Sequence, residues 1–405
     1  MYGNLAIIAV FVLIYSMVCG GLERTPINGA VVYTAFGLAL GPLGLGLLTL
    51  DVDAEGLRTL AELALALVLF IDAANADLGV LKKSIVLPKR LLLVGLPLTL
   101  LLGFGFGVLL FDGLTLLEVA ILATLLAPTD AALGKAVVSN AAVPQNIRES
   151  LNVESGLNDG ICVPILFTFL ALATGAAGDG RPLLIALELV AAEIGLGVLV
   201  GVGLTFVGAL LFLQAEKRGW LTQTWLQLTV PSLAVACFAA AQWLGGSGFI
   251  AAFAGGLLFS GIVKKDKHTL LLAAEGTGDT LALITWVTFG AAVIGQSIGY
   301  FSWQVLLYAL LSLTLIRMLP VFLALAGTGL RTDEKLFMGW FGPRGLASIV
   351  FGVIVLNDHI PGGETIAITA VCTIVLSVLA HGLSANPLVA SLAARVRSAG
   401  IGGGG

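Results

Sequence analysis

The sequence predicts an all-α polytopic membrane protein of about thirteen transmembrane helices, two of them discontinuous and suggestive of inverted repeats. Three observations predict it: composition, the placement of basic residues, and two proline-centred breaks inside apolar runs. Mean hydropathy is +1.06, with 58% hydrophobic and 11% charged residues. Soluble domains are about half apolar and one quarter charged. The 405 residues leave room for a dozen or so spans of about 20 residues and little else. Residues 1–397 are therefore expected to form one transmembrane domain, followed by a flexible tail, 398–405, that ends in four glycines.

The first apolar run, Asn4 to about Leu22, has no basic residue ahead of it and is long enough to span, so it reads as a retained helix rather than a cleaved signal. Hydropathy centres the spans near residues 13, 37, 66, 101, 126, 162, 198, 231, 255, 284, 313, 346 and 379. Basic residues test that count. With the odd-numbered loops and the C-terminus in the cytoplasm, that side holds sixteen: Arg24, Lys82, Lys83, Lys89, Arg90, Lys135, Arg148, Lys217, Arg218, Lys264, Lys265, Lys267, Arg331, Lys335, Arg395 and Arg397. The other side holds two, Arg58 and Arg181, and the remaining two of the twenty, Arg317 and Arg344, fall inside spans. One helix more or fewer would scramble this split, so it supports an external N-terminus and a cytoplasmic C-terminus.

Composition also narrows the partners. A net charge of −4 offers no footprint for nucleic acid. Cys19, Cys162, Cys237 and Cys372 stand singly in apolar runs and read as packing residues. His268, His359 and His381 are too scattered for a zinc site. No cofactor is expected.

The fifth span carries Leu126-Ala127-Pro128-Thr129-Asp130, where proline removes a backbone donor and a polar pair follows. The twelfth carries Gly342-Pro343-Arg344-Gly345 at a similar depth. They lie seven spans apart, an odd number, so the two helices cross in opposite directions, as in inverted-repeat carriers with a midplane site. Two unrelated proline kinks are the alternative.

An ionised side chain at the bilayer centre costs at least about 2.5–3.5 kcal/mol on insertion scales. Six candidates occur: Asp72, Asp130, Glu154, Asp159, Arg317 and Arg344. Early in the sixth span, Ser155 and Asp159 share one helix face, while Glu154 and Asn158 share the next. A hard monovalent cation takes several oxygens. Asp159, Ser155, the Thr129 carbonyl and Asp130 supply them if the fifth and sixth spans pack together. Asp72, ending the third span, either lines the route to that set, completes it, or is an interfacial carboxylate. Arg317 lies at a depth that matches Glu154, and the couple reads as architecture. Arg344 is placed to compensate the carbonyl ends of half-helices or to attract an acid such as Asp130.

In the combination of Leu69-Phe-Ile-Asp72, Leu126-Ala-Pro-Thr-Asp130, Glu154-Ser-Gly-Leu-Asn-Asp159, Arg317 and Gly342-Pro-Arg-Gly-Leu-Ala-Ser348, the chain resembles the monovalent cation:proton antiporter-1 family. That family contains the bacterial NhaP-type antiporters and the animal sodium/proton exchangers. The resemblance implies a NhaA-like fold, with a moving core (about 91–175 and 301–395) and a dimerisation scaffold (about 4–75 and 183–293). It implies a homodimer in a bacterial plasma (inner) membrane that exchanges Na+, Li+ or K+ for protons. Asp159 is then the acid that takes a proton or a cation in turn, with Ser155, Asp130 and the Thr129 carbonyl beside it. Asn158 stands where electrogenic relatives carry a second aspartate, which implies electroneutral exchange, and the resemblance pairs Glu154 with Arg317. Asp72 departs from the glutamate of many members, and its shorter arm reaches less far.

Two other classes are testable. Gly276-Thr277-Gly278-Asp279 spells the Gly-x-Gly-Asp of intramembrane aspartyl proteases, but the chain has no Tyr-Asp dipeptide and no Pro-Ala-Leu, so Asp279 reads as a helix-end or funnel acid. An organic-anion carrier on a similar inverted-repeat scaffold is the stronger alternative, because broken helices point positive N-termini at anions.

Overall fold

A computed structural model describes residues 2–22, 25, 27–49, 54–76, 85–130, 133, 135–138, 140, 142–175, 182–263 and 267–401. The loop cations Arg24, Lys82, Lys83, Arg181, Lys264 and Lys265, and the glycines 402–405, lie outside these residues.

Helices α1 (Tyr2–Leu22), α2 (Gly29–Leu40), α3 (Ala54–Asn75) and α4 (Val86–Leu110) come first. The fifth span is broken into α5a (Leu116–Leu125) and a single turn, α5b (Lys135–Val138). Helices α6 (Gln145–Ala173), α7 (Pro182–Lys217), α8 (Gln223–Trp243) and α9 (Gly248–Ile262) follow. Helix α10 begins as Lys267–Thr288 and continues through a π-helical segment to Tyr300. The eleventh span is α11a (Trp303–Leu313) and α11b (Leu315–Ala324), and the twelfth is α12a (Thr332–Trp340) and α12b (Leu346–Asn357). Helix α13 (Gly363–Ile401) ends the fold. Every expected span centre falls in one of these thirteen stretches or at its break, and no strand occurs among the described residues. Eight are long and apolar enough to cross a bilayer, and α2, α5a, α9 and α12b are shorter apolar helices. The protein is a multi-pass membrane protein.

Local chemistry sets the ends and irregularities. Asn28, Thr115, Thr222, Ser247 and Ser302 are N-caps whose side chains accept backbone N–H groups of the helices that follow. In α4, Pro97 cannot donate to the preceding turn, and the helix widens into π geometry over Leu91–Gly95 immediately before it. The break within the eleventh span is at Thr314 (φ −114°, ψ −94°), a position with no proline or glycine beside it. It has no counterpart in the sequence reading.

Two compact units divide the chain. One comprises 1–57, 84–158 and 283–405, the other 58–83 and 159–282. Within the first, α2 and the π segment of α10 (Phe289–Ile294) approach until backbones touch: a Cβ on Gly37 would stand 2.1 Å from the Val287 carbonyl oxygen. With Gly41 one turn on, α2 presents the small-xxx-small surface that membrane helices use to pack closely. Elsewhere in this unit, Leu87, Ile147, Val321, Met338 and Leu392 share a core that joins α4, α6, α11b, α12a and α13. In the second unit the same device recurs, with Gly201 of α7 lying against the Ala251 carbonyl of α9.

Gly37→Val should cost more than the about 1–3 kcal/mol typical of overpacking, because backbone rather than a side-chain tip is the obstacle. Thermal unfolding in detergent is expected to show a markedly lower midpoint for this variant and none for Gly20→Ala, which has open space around it.

Candidate ion-binding site

The fifth span stops because of its own sequence. Thr115 caps α5a in a reciprocal box with Glu118, and eleven residues later Leu126 turns the backbone out of the helix. Pro128 has no N–H to rejoin the ladder, so Thr129 and Asp130 run without helical hydrogen bonds. Buried backbone groups must find partners elsewhere, and those of Asp130 find them in the twelfth span. The Asp130 N–H donates to the Pro343 carbonyl at 2.8 Å. Its carboxylate accepts the Leu346 N–H on Oδ2 at 2.9 Å and the Leu133 N–H on Oδ1 at 3.2 Å. Leu346 opens α12b, so an aspartate from one broken helix caps the positive end of the other.

That contact needs Gly345, where a Cβ would fall 1.8 Å from Asp130 Oδ2. Arg344, fully buried, serves the opposite polarity. Its guanidinium donates to the carbonyls of Ala127, Pro128 and Gly342 at 3.4, 3.2 and 3.0 Å, and to Ser312 at 3.4 Å. These are orphan carbonyls at the ends of α5a, α12a and α11a, where a cation complements the helix dipoles. Its own N–H donates to Ser377 of α13 at 2.7 Å.

Helix α6 supplies the other wall. Ser155 Oγ donates to the Thr129 carbonyl at 2.6 Å. Asn158 and Thr129 clasp each other: the Asn158 amide donates to Thr129 Oγ1 at 2.8 Å, and its oxygen accepts the Thr129 N–H at 3.3 Å. Thr129, Asp130 and Ser155 line a narrow cleft with Val137, Leu151, Phe341 and Pro343. The cleft thus offers a carbonyl, a hydroxyl and a carboxylate, the hard oxygen donors that suit an alkali cation. Asp159 stands one turn beyond Ser155 on α6 and is 6% exposed. Asp72, in the last turns of α3, is half-buried.

Glu154 takes no part in the cleft. Its two oxygens receive both terminal nitrogens of Arg317, at 2.6 and 2.8 Å, with each side chain 2% exposed. Such a two-pronged pair fixes geometry and leaves little capacity for an ion. Arg317 reaches it from the first turn of α11b, directly after the Thr314 break. Gly342 admits it, since a Cβ there would lie 2.4 Å from Arg317 Nε.

Three features escape the sequence reading. Glu118, an acid in the first turn of an apolar helix, also accepts the Gly362 N–H at 2.5 Å and ties α5a to the start of α13. Its signal was present in the Thr115-x-x-Glu118 capping pattern. The Thr314 break and the buried contacts of His381 had no local signal.

The family described as "Sodium/hydrogen exchanger, transmembrane" matches residues 7–391. The chain is similar to the K(+)/H(+) antiporter NhaP2 of Shewanella sp. (strain ANA-3), at 22% identity over 363 residues, 89% of this chain and 62% of that protein. It is similar to the Na(+)/H(+) antiporter ApNhaP of Aphanothece halophytica, at 25% identity over 400 residues, 94% of this chain and 74% of that one. It therefore spans only 62% of the length of the first of these relatives. Among solved structures, the sodium proton antiporter MjNhaP1 from Methanocaldococcus jannaschii at pH 8 superposes with a TM-score of 0.73 and 20% identity, covering 94% of this chain and 98% of that one. The NhaA-like fold expected from the sequence is the fold observed.

Glu154→Ala should destabilise the protein by about 3–5 kcal/mol, because it leaves a buried guanidinium without its carboxylate. The double variant Glu154→Leu/Arg317→Met should recover most of that loss in the same thermal melt. Gly345→Ala should lower the melting temperature as well, by forcing Asp130 off α12b.

Proposed function

This chain belongs to the transmembrane sodium/hydrogen exchanger family, and we propose that it is a secondary antiporter exchanging Na+, Li+ or K+ for H+ by alternating access. The observation that carries the reading is Asp159, buried one helical turn from Ser155, whose hydroxyl binds the carbonyl released at the fifth-span break. Asp159 takes either a proton or a cation. Ser155, the Thr129 carbonyl and Asp130 provide neighbouring oxygens, and Asp72 serves the approach. A bare carboxylate is costly to carry through the low-dielectric interior, whereas the protonated or metallated one is neutral. Competition for one site then couples the two fluxes.

The stoichiometry follows from the same residues. Asn158 spends its amide on Thr129 and adds no charge. One carboxylate trades one proton for one monovalent cation, so the cycle is electroneutral. Glu154, Arg317 and Arg344 hold the frame. The core, about 91–175 and 301–395, moves against a scaffold, about 4–75 and 183–293, in a homodimer of a bacterial plasma membrane. The sixteen-to-two distribution of loop cations supports an external N-terminus and a cytoplasmic C-terminus.

The organic-anion reading meets an obstacle in the same junction. The N-terminus of α12b, which would receive an anion, already holds the Asp130 carboxylate.

In proteoliposomes with a pH dye, adding Na+, Li+ or K+ should move protons in the wild type, and Asp159→Asn should abolish that movement. Undiminished exchange in Asp159→Asn would remove the assignment. Ser155→Ala is expected to raise the half-saturating cation concentration by about tenfold, the loss of one oxygen interaction worth about 1.4 kcal/mol. A response to carboxylate anions in place of cations would establish the anion carrier instead.

A further inference from the structure

His381 is enclosed in α13, and both of its ring nitrogens face backbone carbonyls. Nε2 lies 2.9 Å from the carbonyl of Trp340, the last residue of α12a. Nδ1 lies 3.0 Å from the Ser377 carbonyl and 3.1 Å from the Ser377 hydroxyl. That hydroxyl also accepts the Arg344 N–H at 2.7 Å, on the far side of the twelfth-span break. The imidazole packs on the Trp340 indole at 5.0 Å between centroids, and the indole N–H donates to Ser384 at 2.9 Å. Helix α13 therefore grips both banks of the break, through Trp340 before it and Arg344 after it.

A neutral imidazole has one N–H and can serve one of the two carbonyls. With the proton on Nε2, Trp340 is served and Nδ1 accepts from the Ser377 hydroxyl. An imidazolium serves both carbonyls, and the Ser377 hydroxyl proton must then turn away from Nδ1. The two protonation states demand different arrangements of one chain of groups that ends at the Arg344 backbone.

We propose that His381 is a positioning residue whose protonation state sets the geometry of the twelfth-span break and, through it, the acid limit of cation exchange. The proposal rests on the exchange reading above. Among the described residues, the charges acting on the ring are the guanidinium groups of Arg344 and of Arg317 from α11b. Arg317 is matched by Glu154, and Asp130 lies at the same junction as Arg344. In the other elements packed on α13, Glu118 of α5a is held in its cap. Asp333, Glu334 and Lys335 occupy the start of α12a, the end away from Trp340. Helices α2 and α12b carry no Asp, Glu, Lys, Arg or His. The side chain of Lys135 in α5b is outside the described residues. Protonation adds a third positive charge beside two guanidinium groups, which opposes a cation at the neighbouring cleft. Acid pH then weakens cation loading beyond simple proton competition at Asp159.

The test compares pH profiles of exchange in proteoliposomes for wild type, His381→Gln and His381→Leu. Glutamine keeps one donor for Trp340 and one acceptor for Ser377 but cannot charge. It should retain most of the alkaline rate and exceed wild type about threefold on the acid limb. Leucine should be impaired at every pH. A glutamine variant with the wild-type profile, or one as impaired as leucine throughout, overturns the proposal. Wild-type vesicles without cation-driven proton movement would instead sink the exchange reading. Histidine-selective 15N spectra then decide by themselves. A resonance missing from His381→Gln that changes protonation state along the acid limb of the exchange profile supports the switch, and one that keeps a single protonation state throughout that limb overturns it.

Discussion

The interior depends on the junction where the extended backbone at Thr129–Asp130 meets Pro343–Leu346, because each broken helix there supplies the groups that the other has lost. An interrupted helix leaves donors at one end and carbonyls at the other, and in a bilayer no water is present to take them. Asp130 answers the donors of α12b, the Pro343 carbonyl answers the Asp130 N–H, and Arg344 answers the carbonyls of three helix ends. Two glycines make the approach possible. With a side chain at Gly345 or Gly342, Asp130 and Arg317 could not stand where they do. Irregular backbone is thereby kept at membrane depth without exposing it to lipid.

Around that junction the buried charges divide by geometry. Glu154 is saturated by a two-pronged guanidinium, and Asp130 accepts one backbone donor on each oxygen. Groups so engaged hold shape well. In the proposed cycle the exchange chemistry falls to the acid on the other face of α6, one turn past a serine whose hydroxyl touches the break. Under that proposal, division of labour between neighbouring carboxylates, one for the frame and one for the ion, would let the site change occupancy while its walls stay in register.

The same economy explains why Asn158 suits this position. A second aspartate would bring another charge into the low-dielectric interior and would give up the amide donor that clasps Thr129. The asparagine instead locks the threonine whose carbonyl faces Ser155. It fixes one wall of the cleft and, in the proposed cycle, keeps the charge count at one.

The membrane class, the thirteen helical stretches, the two proline breaks and five buried charges, Asp130, Glu154, Asp159, Arg317 and Arg344, were legible along the chain, whereas buried Glu118 was not recognised. These follow from signals that are local along the chain: runs of apolar residues, a missing N–H at Pro128, an acid where none is cheap. Even the clustering of Ser155, Asn158 and Asp159 was legible, because helical periodicity alone aligns residues three and four apart. Which partner each orphaned group takes emerges in the folded molecule. That Asp130 caps α12b, that Arg344 gathers carbonyls from three helix ends, and that His381 touches Trp340 all depend on contacts between residues tens to hundreds of positions apart. A chain specifies those contacts through packing of whole helices, and no short window of sequence contains that information.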